Sequence, residues 1–146
     1  MKKEETTSRL EALLKSVSAK EEALGFAEAH SAGTRLFYEY MNAFIASKGL
    51  VVNEVISRSG ISRNYVYNIL NGNTKNPGRD KVMALCIAAG MNIDEVNRGL
   101  KIAGHNSLYP KNPKDIQIAS LINRGETSIL NINLELHELN LPEIEI

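Results

Sequence analysis

The sequence predicts an all-α protein, and three observations carry the prediction. Gly49, Gly60, Gly72, Gly90, Gly104 and Gly125 each follow an apolar-periodic stretch, at spacings of 11, 12, 18, 14 and 21 residues. That is the rhythm of short helices closed by a left-handed glycine. Pro77, Pro110, Pro113 and Pro142 fall between those stretches or at a helix's first turn. No segment of strand length alternates apolar and polar residues with a period of two. With 146 residues, 43% hydrophobic and 23% charged, the chain is too apolar for a disordered protein and too short for two full cores. One compact domain with short appendages follows.

Taken in order, residues 1–33 form an N-terminal helical arm. Leu10, Leu13, Leu14 and Val17 lie on one side of it, and Gly25 and the break from Ser31 to Gly33 separate it from the rest. Residues 34–109 form the central domain. Leu36, Phe37, Tyr40, Met41, Phe44 and Ile45 recur on one face of a 3.6-residue period and predict its first helix. A short second helix holds Val52, Val55 and Ile56. Ser62 is placed to cap a third, because its hydroxyl can accept from an unpaired amide of the first turn, with Val66, Ile69 and Leu70 inward. The fourth runs from about Arg79 to Ala89, with Val82, Leu85, Cys86 and Ala89 inward. The fifth opens at Asn92 with Glu95 in capping-box spacing, buries Val96 and Leu100, and carries Lys101 near its negative pole.

Residues 110–146 form a C-terminal extension of two more helices. Asn112-Pro113-Lys114-Asp115 reads as cap, first-turn proline and first-turn acid of a helix through Ile122, and another fits from Thr127 to about Leu139.

Several function classes fall away. The apolar run Val82 to Met91 holds ten residues, short of the roughly 18 that a membrane span needs. Met1-Lys2-Lys3-Glu4-Glu5 is followed by no apolar stretch, which excludes a secretory signal at this end. A single cysteine, Cys86, suits a reducing compartment, and a cytoplasmic location is expected. His30, His105 and His137 lie far apart without ligand spacing, so neither metal nor other cofactor is expected. No nucleophile–base pairing or phosphate loop is present, so no enzyme is expected.

The charge balance conceals an asymmetry. Seventeen basic and seventeen acidic side chains cancel overall, but residues 30–115 carry eleven and six, against five and six in residues 1–29 and one and five in residues 116–146. Within the basic middle, Val52 to Gly72 reads as short helix, glycine turn, capped second helix and Asn-Gly stop, a helix-turn-helix arrangement. Ile61 plugs the angle between the helices, while the outer face of the second stays polar.

That outer face holds Arg63, Asn64, Tyr67 and Asn68, with Asn71 at its end. Arg can grip guanine O6 and N7, and Asn can pair with adenine N6 and N7, each bidentate contact giving ~1–3 kcal/mol of discrimination. Lys75, Arg79 and Lys81 follow at once, where a loop and a helix start can hold the DNA backbone.

On Gly60-Ile61-Ser62-Arg63, Val66, Ile69, Asn71-Gly72 and Pro77, ahead of Val82 and Leu85, the chain resembles the Cro/C1-type (XRE-like) helix-turn-helix regulators of the lambda-repressor-like fold. The resemblance covers about residues 35–104 and implies a five-helix DNA-binding domain, here with the arm before it and two further helices after it. It implies that Ser62, Arg63, Asn64, Tyr67, Asn68 and Asn71 face bases in the major groove, with Asn53, Lys75, Arg79 and Lys81 toward the DNA backbone. Three departures stand out. Val51 and Val52 occupy the places of the family's usual Thr cap and phosphate-binding Gln, Ile56 that of an Ala, and Leu70 that of an acid.

The resulting expectation is a transcriptional regulator that binds double-stranded DNA, as a homodimer built through either the arm or the C-terminal helices. The competing expectation is a module that keeps the fold without DNA binding and engages a protein partner, as an adaptor, antitoxin-like protein or anti-repressor. Val51, Val52 and Leu70, apolar in places that the family usually keeps polar, motivate it.

Overall fold

The computed structural model describes residues 36–146. The N-terminal arm lies outside the described residues. Among those described, seven helices and no strand occur: α1 (Phe37–Lys48), α2 (Val52–Ser59), α3 (Arg63–Leu70), α4 (Arg79–Ala88), α5 (Ile93–Ile102), α6 (Pro113–Asn123) and α7 (Ile129–Glu138). All six glycines predicted to close helices have positive φ, between 63° and 88°.

Local sequence accounts for most helix starts. Ser62 accepts from the Tyr65 amide at the head of α3. Asn92 and Glu95 form both bonds of a capping box at α5, and Asn112 accepts from the Asp115 amide ahead of Pro113 in α6. Ser128 caps α7 through the Asn131 amide. Each such bond satisfies a helix-end amide that would otherwise lack a partner. At α2 the cap position is Val51, which offers no side-chain acceptor.

The core gathers around α4, which packs on α2, α5 and α7. Its seven residues from Val82 to Ala88 are all buried, so this helix is apolar around its whole circumference, as a central helix must be. Gly99 permits the close approach of α5: a Cβ there would lie 2.7 Å from Cys86 Sγ and 3.3 Å from the Tyr40 ring. α1 covers α3 and α5 with Phe37, Tyr40, Met41, Phe44 and Ile45. Leu36 departs from expectation. It precedes α1 and is 53% exposed.

The C-terminal extension is built into this core. Ile118, Ile129, Ile132, Leu136 and Ile144 are all fully buried or nearly so, and α7 packs on both α2 and α4. Asn140, at φ 59°, turns the chain after α7. Leu141 N–H then donates to Leu136 O and Asn140 N–H to His137 O, the two bonds of a Schellman motif. The returning tail is gripped by Asn133, whose amide accepts from Ile144 N (2.7 Å) and donates to Ile144 O (3.0 Å).

Asp115 does more than complement a helix dipole. It is 4% exposed, forms an ion pair with Arg79 at 3.0 Å and accepts from the Tyr109 amide at 2.8 Å. The bond to Arg79 ties the start of α4 to the start of α6.

Candidate nucleic-acid interface

The arrangement of α2 and α3 follows from four consecutive residues. Ser59 is fully buried, and its hydroxyl donates to Ile56 O (2.8 Å) while accepting from Ile61 N (3.0 Å). Gly60 sits at φ 74°, a left-handed conformation that a Cβ disfavours. Ile61 is buried at the bend, and Ser62 is extended and caps α3. On the inner side of α3, Val66, Ile69 and Leu70 are buried. From α1, Asn42 donates to Leu70 O (2.8 Å), satisfying a carbonyl at the far end.

The opposite face carries the side chains expected to read bases. Ser62, Arg63, Asn64, Tyr67 and Asn71 are exposed and Asn68 is half-buried. At 100° per residue, positions 63, 64, 67, 68 and 71 share about 140° of arc, so one surface presents them all. Their surroundings differ. Arg63 Nη1 donates to Asn53 Oδ1 (2.5 Å), joining the start of α3 to the start of α2. Asn71 Oδ1 accepts from Asn73 N (3.0 Å), and Asn68 Oδ1 accepts from Asn73 Nδ2 (3.5 Å). Asn68 and Asn71 thus help to shape the loop after α3, whereas Asn64 and Tyr67 lie on the open face.

The four residues expected at the DNA backbone divide into two pairs. Asn53 and Lys75 are exposed, and Lys75 has no ion pair or hydrogen bond among the described residues. Arg79 instead points inward, donating to Asn106 O (3.0 Å) and Ser107 O (3.2 Å) as well as to Asp115. Lys81 donates to Ile146 O (3.0 Å) and lies 5.1 Å from the centre of the Tyr65 ring. Both cations already have partners within the fold.

Ser59 and Asn42 support α3 without any signal legible in the chain's local pattern. A serine one residue before a helix-closing glycine and an asparagine on an amphipathic helix are both common, and their roles depend on how the helices pack. The electrostatics, by contrast, is legible. No acid occurs between Glu54 and Asp80, while Arg58, Arg63, Lys75 and Arg79 do. Such a stretch favours an anionic partner.

Among the described residues, no group of three or more His, Cys, Asp and Glu side chains is placed to hold a metal ion. None of the described helices is long and apolar enough to cross a membrane. Cys86 is fully buried, and burial, reinforced by the nearby Glu95 charge, pushes its thiol well above the ordinary range. It is a small core residue, not a nucleophile.

Comparison with known proteins places this geometry. Neither the curated proteins nor the solved structures give a match to the chain. A family model does match, that of the Cro/C1-type HTH DNA-binding domain, over residues 41–98. The matched span runs from Met41 in α1 to Arg98 in α5 and contains the α2–α3 turn whole. Over residues 41–98 the chain is thus similar to the Cro/C1-type helix-turn-helix DNA-binding domain, a lambda-repressor-like all-α fold.

Proposed function

We propose that the protein is a sequence-specific transcriptional regulator that lays α3 in the major groove of double-stranded DNA. The observation that carries this reading is the capped helix α3, buried on one side and open and acid-free on the other. Arg63, Asn64 and Tyr67 read base edges, with Ser62, Asn68 and Asn71 at the two ends of the same surface. Asn53 and Lys75 hold phosphates. As a homodimer the protein binds an inverted repeat whose half-sites lie about 34–36 Å apart, or a multiple of that. It works in the cytoplasm and catalyses no reaction.

The test is selection of duplexes from a randomised pool at two salt concentrations, with an Arg63→Ala/Asn64→Ala protein in parallel. An inverted repeat that the double variant fails to enrich is the expected result. An unenriched pool, or binding that ignores both substitutions and vanishes with modest salt, would leave only nonspecific electrostatics. One observation favours a second reading, a protein-binding module. Val51 is 54% exposed at the head of α2, and Tyr67 is 42% exposed on α3. A protein complex abolished by Val51→Ser and Tyr67→Ser, from a chain that enriches no duplex, is the outcome that would favour it.

A further inference from the structure

We infer that the loop of residues 105–112, which lies beyond the matched domain, is a second contact for the DNA backbone, with Lys111 as its phosphate-binding group. The inference rests on the DNA-binding reading above and adds a surface to it.

The loop has no regular secondary structure, yet side chains from three helices fix its backbone. Arg79 donates to Asn106 O and Ser107 O, Asn97 Oδ1 accepts from Leu108 N (2.9 Å), and Asp115 accepts from Tyr109 N. Asn112 N donates to Tyr109 O (3.1 Å). Loops that carry contacts are commonly positioned in this way by a rigid scaffold. The same bonds set the loop beside the segment that follows α3. His105 Nε2 is 2.9 Å from Pro77 O, and Arg79 opens the helix after that segment. Lys75, expected on phosphate, is two residues before Pro77.

Charge points to the ligand. A second acid-free stretch runs from Val96 to Lys114 and carries Arg98, Lys101, Lys111 and Lys114. Two acids beside it are paired, Asp115 with Arg79 and Asp80 with Lys114 at 3.5 Å. Lys111 is exposed and has no ion pair or hydrogen bond among the described residues, and neither has Lys75. Tyr109 beside it is 57% exposed. A lysine is a point charge without the planar fork that reads a base, so the fitting partner is a phosphate. The bonds of His105 to Pro77 and of Arg79 to Asn106 and Ser107 tie the second acid-free stretch to the segment that follows α3.

The test uses the full chain and the duplex recovered by selection, once with six flanking base pairs on each side and once trimmed to its core, across a salt series. A circular dichroism spectrum confirms that each variant is folded. Loss of one phosphate contact reduces the salt slope by about 0.9, which is about fivefold in affinity at 0.15 M salt. Lys111→Gln is expected to show both changes on the flanked duplex and equally on an unrelated duplex, whereas Lys111→Arg keeps the slope. Trimming should weaken the wild type and leave Lys111→Gln unchanged. If Arg63→Ala abolishes selection while Lys111→Gln keeps the wild-type slope and affinity, the loop contact is refuted and the α3 reading stands. Should the wild type bind no duplex, the DNA-binding reading fails and takes this contact with it.

Discussion

Replacing Asp115 with alanine tests whether the loop of residues 105–112 is held by one carboxylate. In the native protein this side chain accepts from Arg79 at 3.0 Å and from the Tyr109 amide at 2.8 Å. Each hydrogen bond to a charged group contributes ~1.5–3 kcal/mol, and breaking a fully buried pair costs ~3–5 kcal/mol. The Arg79 side chain is 29% exposed, against 6% for Asp115, and it keeps its two carbonyl partners, so water and those carbonyls compensate part of the loss. The expected cost is therefore about 2–3 kcal/mol. Urea denaturation of the full chain reads it as a lower midpoint at unchanged slope, since the denatured state is unaltered. A cycle with Arg79→Ala should return a coupling of ~1–2 kcal/mol. Hydrogen exchange at the Tyr109 amide adds a local readout, with protection falling further than at core amides. A loss below about 0.5 kcal/mol, or undiminished protection at Tyr109, would refute the clamp.

Three further outcomes follow from the packing. Gly99→Ala gains about 1 kcal/mol of helix propensity but forces a Cβ to 2.7 Å from Cys86 Sγ. With overpacking costing ~1–3 kcal/mol, thermal unfolding should show a net loss that shrinks in a Cys86→Ala background. Asn133→Ala removes both bonds to Ile144, so exchange of the Ile144 amide should accelerate about tenfold, corresponding to ~1.4 kcal/mol, while amides of α4 are unaffected. Cys86, fully buried with its thiol held protonated, should react with a disulfide reagent at the rate of global unfolding. Reaction in seconds under native conditions would contradict that burial.

The parts of the fold that sequence predicts best are those whose physics is local. A capping hydroxyl or amide acts within three residues, as at Ser62, Asn92 and Asn112, and the glycine stops act within one turn. The inner face of α3 is legible for the same reason, because Val66, Ile69 and Leu70 obey the helical period. Arg79 and Lys81 show where this reasoning ends. Their position just after Lys75 suggests the DNA backbone, but their partners lie 27 to 65 residues away, beyond any sequence window. Whether a surface lysine or arginine is free for a ligand depends on which carbonyls and acids the tertiary fold brings to it. Leu36 fails differently. It fits the period of α1 but falls just outside the helix, where periodicity no longer fixes its direction.

The departure at the head of α2 leads to the last prediction. Val51 supplies no cap there and Val52 no polar contact, so the first side chain of α2 able to meet a phosphate is Asn53. Its Oδ1 is occupied by Arg63 Nη1, which leaves the Asn53 amide hydrogens for a phosphate and the Nε–Nη2 edge of Arg63 for a bidentate pair with guanine. If α3 lies in the major groove as proposed, this hydrogen bond couples the phosphate contact of Asn53 to the base contact of Arg63. An ordinary phosphate contact, when removed, weakens binding to every sequence alike. Asn53→Ala should do that and more, because it also frees the Arg63 guanidinium to sample other rotamers. Specificity at the base that Arg63 reads should fall by threefold to tenfold, a loss smaller than the ~1–3 kcal/mol expected for Arg63→Ala itself. Affinities for the selected duplex and for one substituted at that base pair measure the ratio directly. A uniform loss on both duplexes would mean that Arg63 is oriented by DNA alone and that its bond to Asn53 has no part in recognition.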